Sequence, residues 1–372
     1  MDERKTALTA WARQCLEEMC DQAGVAGDVE TVSGDASFRR YFRMRLNRPM
    51  DCMMGMVNEK LLPILHDTQF LLVDAPPEHE DCHRFVRIAH LFRQAGMNTP
   101  RVLEVDYERG FMLLQDFGDA LYLPALQEGR DVDALYTAAM ESLVLLQANG
   151  KGDELPPYDR ALLHRELSLF DDWFCEAFLG LILTEAERDL LARTWAMLED
   201  AALAQPQVCV HRDYHSRNLM IISNDPAEAP GVIDFQDAVL GAYTYDLVSL
   251  LRDCYIVWPA ARVREWALQY RQMAIVAGVL PEGSPQAAEA FLRDFDLMGL
   301  QRHLKVIGIF SRLNLRDGKL RYMADIPVVI DYVLEVAAEH PEMAEFLQWF
   351  QNRVLPLACE TLAPYSRESL AS

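Results

Sequence analysis

The stretch His211-Arg212-Asp213-Tyr214-His215-Ser216-Arg217-Asn218 constrains this chain more than any other. It lies between two short apolar runs, Val208-Cys209-Val210 and Leu219-Met220-Ile221-Ile222, which read as strands. A turn between strands holds polar side chains rigidly at the edge of a core. A loop rich in Asp, Pro and Ala follows. Then comes Gly231-Val232-Ile233-Asp234-Phe235-Gln236, in which a second aspartate ends another apolar strand. Either half alone reads as an ordinary polar turn whose Asp residues cap backbone groups. Both halves, in order and on strands, supply a carboxylate, an amide oxygen and a second carboxylate.

Phosphoryl transfer from ATP needs that inventory. One carboxylate orients an attacking hydroxyl and accepts its proton, while an amide oxygen and a second carboxylate hold magnesium against the phosphates. The His-x-Asp-x-x-x-x-Asn spacing resembles the catalytic loop of kinases, and Asp234-Phe235-Gln236 stands where Asp-Phe-Gly would. Asp213 is therefore expected as the base, with Asn218 and Asp234 as Mg2+ ligands and ATP as donor.

Composition sets the outer bounds. A chain of 372 residues with 51% hydrophobic residues can form two domains, each with a core. The net charge of −22 argues against nucleic acid and against an anionic membrane surface as partners. The eight cysteines show no Cys-x-x-Cys spacing, so they read as small buried hydrophobes in a reducing compartment. No run reaches the ~18 apolar residues of a membrane span, and the N-terminus lacks the pattern of a signal peptide. The expected location is cytoplasmic, and the sequence leaves the oligomeric state open.

Along the chain, residues 5–23 read as a helix and 29–33, 40–46, 69–74, 102–105 and 110–114 as strands, with a helix over 78–95. The turn Ser33-Gly34-Asp35-Ala36-Ser37 leaves backbone N–H groups for phosphate oxygens, so Ser33, Gly34 and Ser37 are expected at the nucleotide. The segment 47–68, Met-rich and bounded by prolines, reads as an insertion. The last strand feeds Gln115-Asp116-Phe117-Gly118, a plausible hinge, which nominates Gln115 and Phe117 beside the nucleotide base. Beyond residue 120 the periodicity is helical over 130–149, 161–180, 184–203, 244–257, 260–278, 286–313, 327–338 and 341–362. The expected fold is α+β and bilobal, with an N-terminal antiparallel sheet plus helix (1–117). A mostly helical C-terminal lobe (118–372) carries the catalytic hairpin.

With these motifs in place, the chain resembles the aminoglycoside phosphotransferase-like branch of the protein-kinase fold. The run Asp234-Phe235-Gln236-Asp237-Ala238 followed by Gly241-Ala242-Tyr243-Thr244-Tyr245-Asp246 is similar to that branch's segment after the magnesium aspartate. Ser33–Arg43 and Val73-Asp74-Ala75-Pro76-Pro77 look like one subgroup, kinases that phosphorylate the anomeric hydroxyl of N-acetylmuramate and N-acetylglucosamine in peptidoglycan recycling. The resemblance implies ATP in a cleft and a sugar 1-phosphate product. It implies that Asp246 braces the catalytic loop, with a helix N-cap as the plain alternative, and that His211 packs beside that loop. Aminoglycoside phosphorylation and a non-catalytic nucleotide-binding module are the rival readings. The module is motivated by one departure: the third strand carries no lysine, and Arg39, Arg40 or Arg43 would have to supply the cation.

On the acceptor side, Arg302, Lys305, Arg312 and Arg316 fall within an arc of about 80° on one helix. Such a stripe suits an anion such as the lactyl carboxylate of N-acetylmuramate, with a solvated surface face as the plain reading. Glu166, Asp171, Asp172 and Trp173 suit sugar hydroxyls and ring faces, and Gln236 and Asp237 follow the magnesium aspartate closely enough to touch substrate.

Overall fold

The structure is a computed structural model that describes residues 2–20, 24, 26–32, 38–47, 69–280 and 288–365. The turn that holds Ser33, Gly34 and Ser37, and the insertion expected over 47–68 apart from Asn47, lie outside the described residues. The chain divides into two compact units. One comprises Met1–Arg93, Asn98–Ala120 and Gly231–Gln236; the other comprises Gln94–Met97, Leu121–Pro230 and Asp237–Ser372.

The first unit is built on a five-stranded antiparallel sheet in the order β1-β2-β3-β5-β4. Its strands are β1 (Ala26–Val32), β2 (Arg40–Leu46), β3 (Gln69–Asp74), β4 (Val102–Asp106) and β5 (Phe111–Gln115). Strand side chains alternate between faces. Phe42 and Met44, Phe70 and Leu72, Phe111 and Leu113 therefore share one face, and Leu8, Ala12 and Leu16 of α1 (Glu3–Cys20) cover it. The helix α2 (Cys82–Gln94) starts later than its acidic approach suggests, because the Asp81 carboxylate caps the N–H of Arg84 at 3.0 Å. The short strand β8 (Gly231–Val232) is fastened to this unit by the Val232 N–H, which donates to the carbonyl of Asn98 at 2.7 Å. Phe235 then packs on Phe85 and Phe92 of α2, with ring centroids 4.9 and 6.1 Å away.

The second unit is helical and centred on α9 (Ala288–Asp317), which packs against α5 (Arg160–Leu169), α6 (Glu185–Leu203), α7 (Tyr245–Leu251) and α10 (Ile326–Glu339). Leu297, Leu300, Leu304 and Ile307 recur at helical spacing and are fully buried. Where α9 crosses α5 the backbones nearly touch: a Cβ on Gly308 would overlap the carbonyl group of Leu169. At that junction the helix expected over 161–180 widens into π winding over Phe170–Phe178. Gly308→Ala is expected to destabilise the protein by about 1–3 kcal/mol, read as a lower urea midpoint, since neither backbone can retreat without unpacking the core.

Candidate functional site

The polar turn 211–218 begins at β6 (Gln207–Val210). The partner of β6 is β9 (Val239–Ala242), with Val210 opposite Val239 and Cys209 opposite Leu240. The strand expected over 219–222 is shorter, β7 (Leu219–Met220), and Met220 forms an antiparallel bridge with Leu121. The turn is thus anchored at each end by strand contacts rather than by pairing of its own flanks.

Inside the turn Arg212 takes a left-handed backbone, φ 81°, which is uncommon for a residue with a Cβ. Asp246 imposes it. Its buried carboxylate accepts the N–H of His211 at 2.6 Å and of Arg212 at 2.9 Å. Burial pushes the Asp246 carboxyl up to about 6, although the two N–H donors favour the charged form. Thr244 occupies the N-cap of α7, so Asp246 is not the helix cap that its position suggests. His211 is buried, and its Nδ1 accepts the N–H of Asp213 at 3.3 Å. The amide nitrogen of Asn218 donates to the Asp213 carbonyl at 2.9 Å. Burial opposes ionisation of the half-buried Asp213, but nearby groups, Lys305 foremost and Arg302 and Arg212 among them, hold its carboxyl below the usual range.

Asp213 lines a cavity together with His215, Tyr245, Asp253, Arg302 and Lys305. Beside it lies a buried charge network. Glu166 accepts from Arg212 and from the Tyr158 hydroxyl, and pairs with Lys305 Nζ at 3.1 Å. Lys305 also donates to the Tyr245 hydroxyl at 2.8 Å. Glu166, expected at the sugar hydroxyls, is buried and engaged by two cations. The basic stripe on α9 splits. Arg302 and Lys305 are buried, whereas Arg316 is exposed and pairs with Asp317 at 2.7 Å. The helix expected over 244–257 ends at Leu251, because Asp253 draws the N–H groups of Tyr255 and Ile256 into a turn.

Trp173 is half-buried on the π-wound segment, and Asp171 beside it accepts from Trp195 Nε1 at 3.0 Å. Burial pushes the Asp171 carboxyl up to about 7, so the folded state favours its neutral form. The stability this contributes is present below pH 4 and lost as pH rises towards 7. Asp171→Asn should therefore raise Tm relative to wild type by more at pH 8 than at pH 5, as scanning fluorimetry would show.

In the sheet unit, Arg43 is buried and bound by Asp116 and by Asp119, the latter at 2.7 Å. It braces the 115–119 turn, where Gln115 and Phe117 are half-buried and Gly118 has φ 81°. Arg39 pairs with Glu80 at 2.8 Å, and Arg40 with Asp74 and Asp2. All three candidate replacements for the strand lysine are thus engaged by carboxylates. Asp234 has φ 64°, and Gln236 Nε2 donates to its Oδ1 at 2.8 Å. Asp237 is exposed. Sequence reasoning passed over Arg212 and Tyr245 and left Lys305 as one member of a stripe. Their signal was faint: Lys305 stands three residues from Arg302.

A model of the phosphotransferase enzyme family matches residues 28–285. The chain belongs to that family. This phosphotransferase is 42% identical over 348 residues to the N-acetylmuramate/N-acetylglucosamine kinase of Pseudomonas putida, covering 92% of this chain and 95% of that protein. It is 39% identical over 320 residues to the protein of the same name from Neisseria meningitidis, covering 85% and 88%. In fold it is similar to the GDP complex of aminoglycoside 2'-phosphotransferase-IIIa, with a TM-score of 0.53 and 15% identity over 89% of this chain and 99% of that one. The fold is protein-kinase-like and α+β, as the motifs implied. Among the described residues no helix is long and apolar enough to cross a membrane.

Proposed function

We propose that this phosphotransferase is an ATP- and Mg2+-dependent kinase that phosphorylates the anomeric hydroxyl of N-acetylmuramate or N-acetylglucosamine, giving the sugar 1-phosphate. The observation that carries the reading is Asp213, held ionised at the wall of a cavity, in a chain whose close relatives bear that name. Asp213 takes the proton of the sugar hydroxyl as the hydroxyl oxygen bonds to the γ-phosphorus, while the bond from that phosphorus to the β–γ bridging oxygen breaks and ADP leaves. His211 and Asp246 hold the loop that carries Asp213.

Asn218 suits a metal, because its amide nitrogen is committed to the Asp213 carbonyl and its oxygen is the end that binds cations. Asp234 is the second ligand in this reading, on the strength of the motif. Magnesium would neutralise charge that develops on the phosphates. Ser33, Gly34 and Ser37 are proposed at the phosphates, and Gln115 and Phe117 at the adenine. ATP consumption with N-acetylmuramate, N-acetylglucosamine and kanamycin in parallel tests the reading, together with the 1-O-methyl glycosides of the two sugars. Turnover of the free sugars and none of the glycosides is expected. Phosphorylation of a glycoside would exclude the anomeric oxygen as acceptor.

A further inference from the structure

The cations in the wall of the Asp213 cavity differ in their hydrogen-bond partners. Arg252 is paired with Asp296 at 2.8 Å and Lys305 with Glu166 at 3.1 Å. The Asp253 carboxylate is satisfied by Ser216 Oγ at 2.8 Å and by the N–H groups of Tyr255 and Ile256. Arg302 differs. It is buried, yet among the described residues its guanidinium makes no hydrogen bond or ion pair, and its Nε is sealed without a partner. Two more nitrogens on the same wall share that condition, Nδ1 of His215 and Nδ1 of His303. Buried polar groups in native proteins are almost always hydrogen-bonded. Three orphaned nitrogens around one cavity therefore mark a site whose partner is a ligand.

We propose that Arg302 and His215 form an anion subsite in the acceptor cavity, one that takes the carboxylate of a carboxyalkyl amino sugar. The inference rests on the kinase reading above and deepens it, by separating the end of the acceptor that reacts from the end that is recognised. A carboxylate cannot sit against ionised Asp213, so the two acceptor groups must divide between the carboxylate and the cation of this wall. The hydroxyl goes to Asp213 and the carboxylate to Arg302. Guanidinium and carboxylate match bidentately. The imidazole of His215 offers one N–H to the same anion, with its ring held edge-on to Tyr255 at 5.3 Å. In this arrangement Arg302 supplies the charge and His215 a directional N–H.

The test uses the full chain and the variants Arg302→Gln, Arg302→Lys and His215→Asn. Arg302→Gln should lower kcat/KM for N-acetylmuramate about 30-fold more than for N-acetylglucosamine, the size expected of one charge-assisted pair. Arg302→Lys should fall between, keeping the charge and losing the fork. His215→Asn should bias in the same direction by less. D-lactate should compete with N-acetylmuramate in the wild type and lose that competition in Arg302→Gln. Equal losses with both sugars would overturn the proposal, because Arg302 would then act through Asp213 alone, and so would undiminished lactate competition in Arg302→Gln. Should wild type turn over neither sugar, the acceptor reading fails by itself. Calorimetric binding of N-acetylmuramate to wild type against Arg302→Gln would still decide the subsite.

Discussion

Asp213→Asn lowers kcat about a thousandfold, the contribution expected of a positioned general base, and leaves ATP affinity within about threefold. Asparagine has the same shape and cannot accept a proton. The loop contacts of Asp213 are made by its main chain: its N–H donates to His211 Nδ1 and its carbonyl accepts from Asn218. Both survive the substitution, so the fold should tolerate it. The variant also loses a carboxylate that Lys305 and Arg302 hold ionised, which leaves excess positive charge at the cavity wall. A fitted kcat, an ATP titration by calorimetry and a melting curve on the same preparation separate these effects. An Asp213→Asn enzyme with near wild-type turnover would remove this residue from the base role.

Glu166→Ala is the second large effect, and it acts at a distance from the reacting atoms. Its carboxylate is the shared counter-ion of Arg212 and Lys305. Its removal leaves buried Lys305 and half-buried Arg212 without their shared carboxylate, and losing one partner of a buried pair costs about 3–5 kcal/mol. The consequence reaches the chemistry through two residues. Arg212 directly precedes Asp213 and sits at φ 81°, a conformation that needs tertiary restraint. Lys305 is the foremost cation that keeps Asp213 ionised. Glu166→Ala should therefore lower both Tm and kcat. The double variant Glu166→Leu with Lys305→Met separates the two: an apolar pair of similar size should recover much of the stability and little of the rate. Recovery of both together would reduce Glu166 to a packing residue.

Much of this molecule is legible from its residues in order. The five strands follow from alternating apolar positions, and the inward set Phe42, Met44, Phe70 and Leu72 emerges at a period of two. The turn 211–218 and the aspartate at 234 are local patterns, and the match to the phosphotransferase enzyme family agrees with the chemistry they suggested. Local geometry also explains where the structure departs from the periodicity. The helix after Thr244 stops at Leu251, because the Asp253 side chain competes for backbone N–H groups, and periodicity does not register that competition. The first-turn aspartate of α7 reaches back to the strained loop instead of capping its own helix.

The charges of the site belong to a different level. Arg302, Lys305, Arg312 and Arg316 are equivalent along a helical stripe, yet one end is buried and the other lies in water. Nothing in the order of residues says which carboxylate will neutralise which cation. Glu166 and Lys305 are far apart in sequence and 3.1 Å apart in space, while Arg43, Arg39 and Arg40 each found acidic partners of their own. Sequence alone pointed to phosphotransfer, because an Asp, an Asn and a second Asp at fixed spacing form a local pattern that short turns present, and the family match agrees with it. Tertiary structure decided which charges are spent on the protein itself and which is left for a ligand, because electrostatic pairing depends on burial and distance that only the packed helices set.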